Sequence, residues 1–278
     1  MDIVTRNFFR LLSAGAFGKQ DKVEPMSAYK WQKVLQLSIL HGVETEAFQG
    51  LEVMGNQFAV QLVSADVRKK WVDYIEHLAS APLQSHTKTP NLNKRLSNHL
   101  EMVAEGCDKA SVEYLLLEKS IYWAYALLTD DLWVKRMIDL GEVIREGAGA
   151  KANQEQLRKW IGKLGLKRVV MLEGALLVEL AGFLPDELPS GYQYNSQKSP
   201  LLSSRMHSLV ENIASAVPQG QQQIKFSQEG NEIFVHTSNA NALAKNARRS
   251  ARFLPYYPVE SISQLFSSFA SSLTNIEE

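Results

Sequence analysis

Lys245, Arg248, Arg249 and Arg252 fall at spacings that bring them to one side of a predicted helix, and Tyr256 and Tyr257 follow directly. Guanidinium groups spaced this way can grip a phosphate or a carboxylate through paired N–H donors, which makes the four residues the chain's anion-binding candidate. The competing reading is a solvated basic face that pairs with acidic neighbours. Choosing between them requires a concave setting, which spacing does not define.

Other chemistry finds no foothold. A phosphate-binding loop needs four residues between its glycines and a hydroxyl after the lysine, whereas Gly15-Ala16-Phe17-Gly18-Lys19-Gln20 has two between them and a glutamine. Gly147-Ala148-Gly149-Ala150 lacks a third glycine and a preceding strand. The histidines, His41, His77, His86, His99, His207 and His236, form no i, i+4 pair with a third ligand nearby, so no metal site is expected. No Gly-x-Ser-x-Gly elbow exposes a serine, and Cys107, the lone cysteine, reads as a small buried hydrophobe. The carboxylate pairs Asp130-Asp131, Glu44-x-Glu46 and Asp186-Glu187 read as helix ends or caps, where negative charge suits the dipole. No catalytic residue and no cofactor are assigned on these grounds.

Composition excludes whole classes. The 278 residues hold 30 basic and 30 acidic side chains, a balance that gives no field to attract nucleic acid. One cysteine excludes an internal disulfide and fits a reducing, cytoplasmic setting. Asp2, Arg6 and Arg10 interrupt the N-terminal apolar pattern, which is unlike a signal peptide. The most apolar segment, 169–184, is shorter than the ~20 residues of a membrane span and contains Glu173 and Glu179, so no membrane role is expected.

The elements that would position any site are helical. Val4, Phe8, Leu11 and Leu12 stripe a first helix, with Gly15 and Gly18 expected to close it. Ser27 is a predicted N-cap for a helix carrying Trp31, Val34, Leu35 and Ile39, which stops at His41-Gly42, and a short helix over 44–54 follows. Phe58, Val60 and Leu62 alternate as a strand or an extended link. Val67, Trp71, Tyr74, Ile75 and Leu78 return to helical spacing, with Arg68, Lys69 and Lys70 outward. Residues 81–91 form the linker candidate, dividing an N-terminal helical subdomain over 1–80 from a C-terminal one over 91–278, unless the two form one continuous domain.

From 111 to 184 apolar-striped helices follow one another, marked by Leu116 and Trp123, then Trp133 and Met137, then Leu157 and Trp160, then Leu166, Val170, Leu177 and Leu184. Gly174 and Ala175 invite a close neighbour, and Pro185 is the expected stop. Ile224 and Phe226, then Ile233 and Val235, alternate about Glu229-Gly230-Asn231, predicting a β-hairpin at 222–237. Pro258 opens a last helix with Val259, Ile262, Leu265, Phe266, Phe269 and Leu273 on one side. The expected fold is a mainly α, multi-helix globular bundle with that single small hairpin.

Several segments resemble a bacterial family catalogued as uncharacterised nucleotidyltransferases. They are Asn7-Phe8-Phe9-Arg10-Leu11-Leu12-Ser13-Ala14-Gly15, Trp31, His41-Gly42-Val43 with Ala47, the helix from Leu132 to Leu140 with Asp139, Leu164-Gly165-Leu166-Lys167-Arg168 followed by Gly174-Ala175, and Arg252-Phe253-Leu254 with Tyr257-Pro258. The resemblance implies helical flanks around a mixed sheet whose clustered carboxylates hold magnesium against a nucleotide. This chain has no Asp-x-Asp, and the interval between the Trp71 and Tyr114 helices is too short for the sheet.

The reading is therefore a catalytically inactive, nucleotidyltransferase-like protein that acts as a binding or scaffold module for a protein partner or by self-association. Self-association would appear as an apolar patch on the helix carrying Phe266 and Phe269. The alternative is a nucleotidyltransferase with a divergent site, which would use magnesium and a nucleoside triphosphate and gather carboxylates from Asp108, Glu113, Glu118, Asp130, Asp131 and Asp139.

Overall fold

Apolar side chains recurring every three to four residues fold, in the computed structural model, into thirteen α-helices among the described residues. Those residues are 1–78, 90–105, 109, 111–129, 132–148, 151–193, 200–215 and 239–274. They contain no strand; the hairpin expected at 222–237 lies outside them, as do Cys107 and most of the linker candidate. No described helix is long and apolar enough to cross a membrane.

Helix α1 (Ile3–Phe17) starts where Asp2 Oδ1 accepts a hydrogen bond from the Thr5 amide at 2.8 Å. It ends at Gly18, whose φ of 67° is the left-handed stop. Gly15 does not close this helix, contrary to expectation. It lies inside α1 at the crossing with α3 (Glu44–Val53), where a Cβ would sit 1.8 Å from the Glu46 carbonyl oxygen. Gly50 of α3 is its counterpart, 1.9 Å from the Leu11 oxygen by the same construction. Two glycines facing each other's backbone let the helices touch without side chains between them.

Between them in sequence comes α2 (Ala28–Leu40), which follows Ser27 and buries Trp31, Val34 and Leu35. Residues 58–62 are neither strand nor link: α4 (Phe58–Gln61) is a single helical turn. A strand would place Phe58, Val60 and Leu62 on one face, but only Val60 is buried while the other two face solvent. Next, α5 (Ala65–Leu78) docks through Val67 and Trp71, whose indole N–H donates to the Glu44 carbonyl at 3.0 Å.

The second half is built around α7 (Val112–Thr129). Apolar groups are buried on all its sides, from Leu116 and Leu117 to Trp123 and Tyr125. Packed on it are α6 (Pro90–Ala104) and α8 (Trp133–Val143), the latter running into a π-helical turn at Ile144–Ala148. Then α9 (Gln154–Lys163) precedes α10 (Lys167–Ala181), where Gly174 lies against the backbone of Tyr192, the close approach its sequence invited. The α10 helix stops at Gly182, with φ 70°, before Pro185 can act, and Leu184 beyond it is exposed rather than lining the core.

The two halves share one apolar core, because α1 packs on α10 and α8 as well as on α2 and α3. Ser13 Oγ donates to the Ala181 carbonyl at 2.8 Å, and the Phe17 ring meets the edge of Phe183 at 4.9 Å. The remaining helices are α11 (Pro200–Ser215), α12 (Asn239–Phe253) and α13 (Pro258–Thr274). The last two form a hairpin, α12 packing on α7 and α13 on both α6 and α7.

Candidate functional site

Pro258 begins α13 as its sequence predicted, and the turn before it is held by hydrogen bonds from the Tyr256 and Tyr257 amides to the Phe253 carbonyl. Arg168 of α10 secures the same turn, donating to the Pro255 carbonyl at 2.8 Å. This fixes the rotation of α13 and the face it presents to solvent.

The helix is docked inside out. Glu260, Ser261 and Gln264 are buried, at 3%, 0% and 7% exposure, while Val259, Ile262, Phe266 and Phe269 stand at 54%, 46%, 70% and 52%. Four members of the apolar stripe read from the sequence point to solvent, while Leu265 is half-buried. Ser261 Oγ is buried without a hydrogen-bond partner, a cost of about 1–3 kcal/mol that a helix turned the other way would avoid.

Polar chemistry on α6 and α7 explains why the buried face is tolerated. Glu260 forms an ion pair with Arg95, whose Nε donates to Oε1 at 3.0 Å and whose Nη2 reaches the same oxygen. Burial would lower the Arg95 guanidinium, but the hydrogen bond and charge of Glu260 hold it up and ionised. Beside this pair, the Tyr257 and Tyr125 hydroxyls lie 3.1 and 3.4 Å from Nδ1 of His99. The His99 ring stacks on Tyr257 at 6.1 Å, and Tyr125 meets Tyr257 edge-on at 5.7 Å.

Burial raises both phenols, and burial together with Arg95 lowers His99 against the pull of Glu260. Burial thus favours the neutral imidazole, whose Nδ1 faces both phenol hydroxyls. These groups answer one another across three helices, and the arrangement works as a clasp holding α13 to the body. Sequence reading missed it because Glu260 falls within an apolar stripe and its partners lie on helices far away in sequence. The available signal was the i, i+4 spacing of Arg95 with His99 and the i, i+3 spacing of Tyr257 with Glu260, which place each pair on one helix face.

The anion-binding candidate lies on α12. Lys245 and Arg248 are exposed, whereas Arg249 and Arg252 are half-buried. Arg249 reaches Asn246 Oδ1 at 3.5 Å, and Arg252 donates to the Asn212 carbonyl at 3.3 Å, in the last turn of α11 where carbonyls lack helical partners.

Two carboxylates of the alternative reading have partners of their own. Glu113 accepts from the Asn153 amide at the start of α9, and Asp139 pairs with Arg136 at 3.1 Å. Asp108, Asp130 and Asp131 lie outside the described residues. Among the described residues, no three His, Cys, Asp or Glu side chains are grouped to hold a metal ion. Glu44 and Glu46 stand in the first turn of α3, where Glu46 also takes the Lys135 ammonium at 2.5 Å.

A last polar cluster lies deep in the body. Tyr192 OH donates to the Leu116 carbonyl at 3.3 Å, leaving Ser120 Oγ to donate to Tyr192 across 2.5 Å. Glu173 is fully buried beside them, and neither of its carboxyl oxygens has a partner at hydrogen-bonding geometry. Burial pushes its carboxyl well above the ordinary range, only partly offset by Ser120, so it is kept in the neutral form. Compared with known proteins, the chain matches no protein-family model, no curated protein and no solved structure.

Proposed function

We propose that this chain is a binding module that takes a helix of a protein partner on the outer face of α13. The inverted docking of α13 carries the reading: four large apolar side chains face water on a helix that buries Glu260, Ser261 and Gln264. Contiguous exposed apolar surface of this kind, on a helix held in place by a clasp, marks an interaction site. The face carries no charge, since Glu260, the one charged residue between 258 and 274, is turned inward. A helix with an apolar stripe is the partner chemistry that fits it.

The nucleotidyltransferase-like kinship belongs to the same proposal. It rests on the segments from Asn7 to Gly15 and from Leu132 to Leu140, and without an Asp-x-Asp pair the module acts by binding and not by phosphoryl chemistry. Titration of ATP with magnesium in a calorimeter is expected to give no saturable heat; a saturable isotherm would overturn the non-catalytic reading.

The docking face is tested by placing a photo-crosslinking phenylalanine analogue at position 266 in cells, with position 155 on α9 as control. Crosslinks from 266 alone, mapping to an apolar helix face of a protein, are expected. Crosslinks to lipid only, or equal yields from both positions, would remove the reading.

A further inference from the structure

We infer that the helix received by this face is α13 of a second copy of the chain, packed antiparallel; the inference rests on the docking role of α13 proposed above. The exposed residues Val259, Ile262, Phe266 and Phe269 are separated by three, four and three positions, the a/d spacing of a two-helix seam. In that register Glu260, Ser261 and Gln264 take the b, c and f positions, the back of a paired helix. The back is the side buried against the body, so the seam is presented outward as a unit.

The order of side chains selects the orientation. A two-fold axis level with residue 264 pairs Val259 with Phe269 of the second copy and Ile262 with Phe266 of the second copy. Each layer then holds one β-branched residue and one phenylalanine, so the helices stay evenly spaced along the seam. A parallel pair would set valine on valine at one end and phenylalanine on phenylalanine at the other, forcing the axes to splay. The flanking e positions, Ser263 and Ala270, are small enough for close approach, and the opposed helix dipoles favour the antiparallel arrangement.

Charge permits self-pairing. A face with no ionic side chain meets its own copy without repulsion, and no e or g charge directs it to a different partner. The area sets the strength. A phenylalanine presents ~200 Å² in all, so two half-exposed to mostly exposed rings with a valine and an isoleucine give roughly 400 Å² per copy, or ~800 Å² in total. That is below the ~1,200 Å² of stable complexes, so the dimer is reversible and concentration-dependent.

The test combines sedimentation velocity from micromolar to several hundred micromolar protein with site-directed crosslinking. The wild-type chain should shift from monomer towards dimer over this range, and Phe266→Asp should remain monomeric with an unchanged circular dichroism spectrum, because residue 266 is exposed. In a Cys107→Ser background, Ser263→Cys lies within ~3 Å of its mate along the antiparallel axis and should oxidise to a dimer. Ala270→Cys, ~18 Å from its mate, should not.

A wild-type chain that stays monomeric throughout, a dimer indifferent to Phe266→Asp, or equal crosslinking at 263 and 270 would each overturn the inference. Should the chain be monomeric while position 266 still crosslinks to a helix of a different protein, the antiparallel dimer is lost and the docking role stands. Monomer with lipid crosslinks only removes both.

Discussion

Two glutamates, Glu24 and Glu173, tie stability to pH in opposite directions. The Glu24 carboxyl is drawn down to about 2 by its hydrogen bond from Arg6, 2.9 Å from the Arg6 Nε, and by the Arg10 guanidinium at 2.8 Å. Its contribution is present above the ordinary carboxylate range and is lost as pH falls towards about 2. Glu173 is raised, so the folded state binds the extra proton. Its contribution is complete below the ordinary carboxylate range and is lost as pH climbs from there to its elevated folded value. Urea unfolding as a function of pH should therefore show Glu173→Gln flattening the alkaline limb and leaving the acid limb unchanged. The amide keeps the shape of the neutral carboxyl and cannot ionise. A variant whose alkaline limb matches the wild type would contradict this assignment.

At the level of elements, the crossing of α1 with α3 and the rotation of α13 are the decisive contacts. Gly15→Ala places a methyl where the Glu46 backbone oxygen already is, and the neighbour is backbone that cannot swing aside. Chemical denaturation should show a loss on the order of 3 kcal/mol, the scale of severe overpacking. Arg95→Met leaves Glu260 buried without its cation. Because Arg95 is itself about one-third exposed, the cost should be about 2–3 kcal/mol, below that of a fully enclosed pair, and should appear first as faster amide exchange in α13. Helix positions were legible from periodicity and from stops such as Gly18 and Gly42, because these depend on neighbours in sequence. The role of Gly15 was not, since a glycine that ends a helix and one that admits another helix look alike until the second helix is in place. The site was half legible for the same reason: the stripe of Val259, Ile262, Phe266 and Phe269 was visible, but its direction was decided by Arg95, His99 and Tyr125 from helices far away in sequence.

For the whole molecule, the body and the docking face should respond differently to concentration. Amides of α1 and α3 lie in a core that association does not touch, so their hydrogen exchange should be independent of protein concentration. Amides of α13 should gain protection as concentration rises, and the gain should vanish in Phe266→Asp. Uniform protection of both regions would mean that association, if present, uses another surface.

The bond from Ser13 to the Ala181 carbonyl also bears on how the chain is made. The two residues are 168 positions apart, and the apolar face of α1 has α10 as one of its walls. At ribosomal speeds of 5–20 residues per second, roughly ten to thirty seconds separate the synthesis of the two helices. Until α8 and then α10 are made, α2 and α3 are the helices that pack on α1, so the glycine crossing acts as a temporary shelter for a nascent chain. Variants such as Gly15→Ala should then lower the yield of folded protein in the cell by more than their equilibrium stability accounts for, and supplying a chaperone should recover the difference.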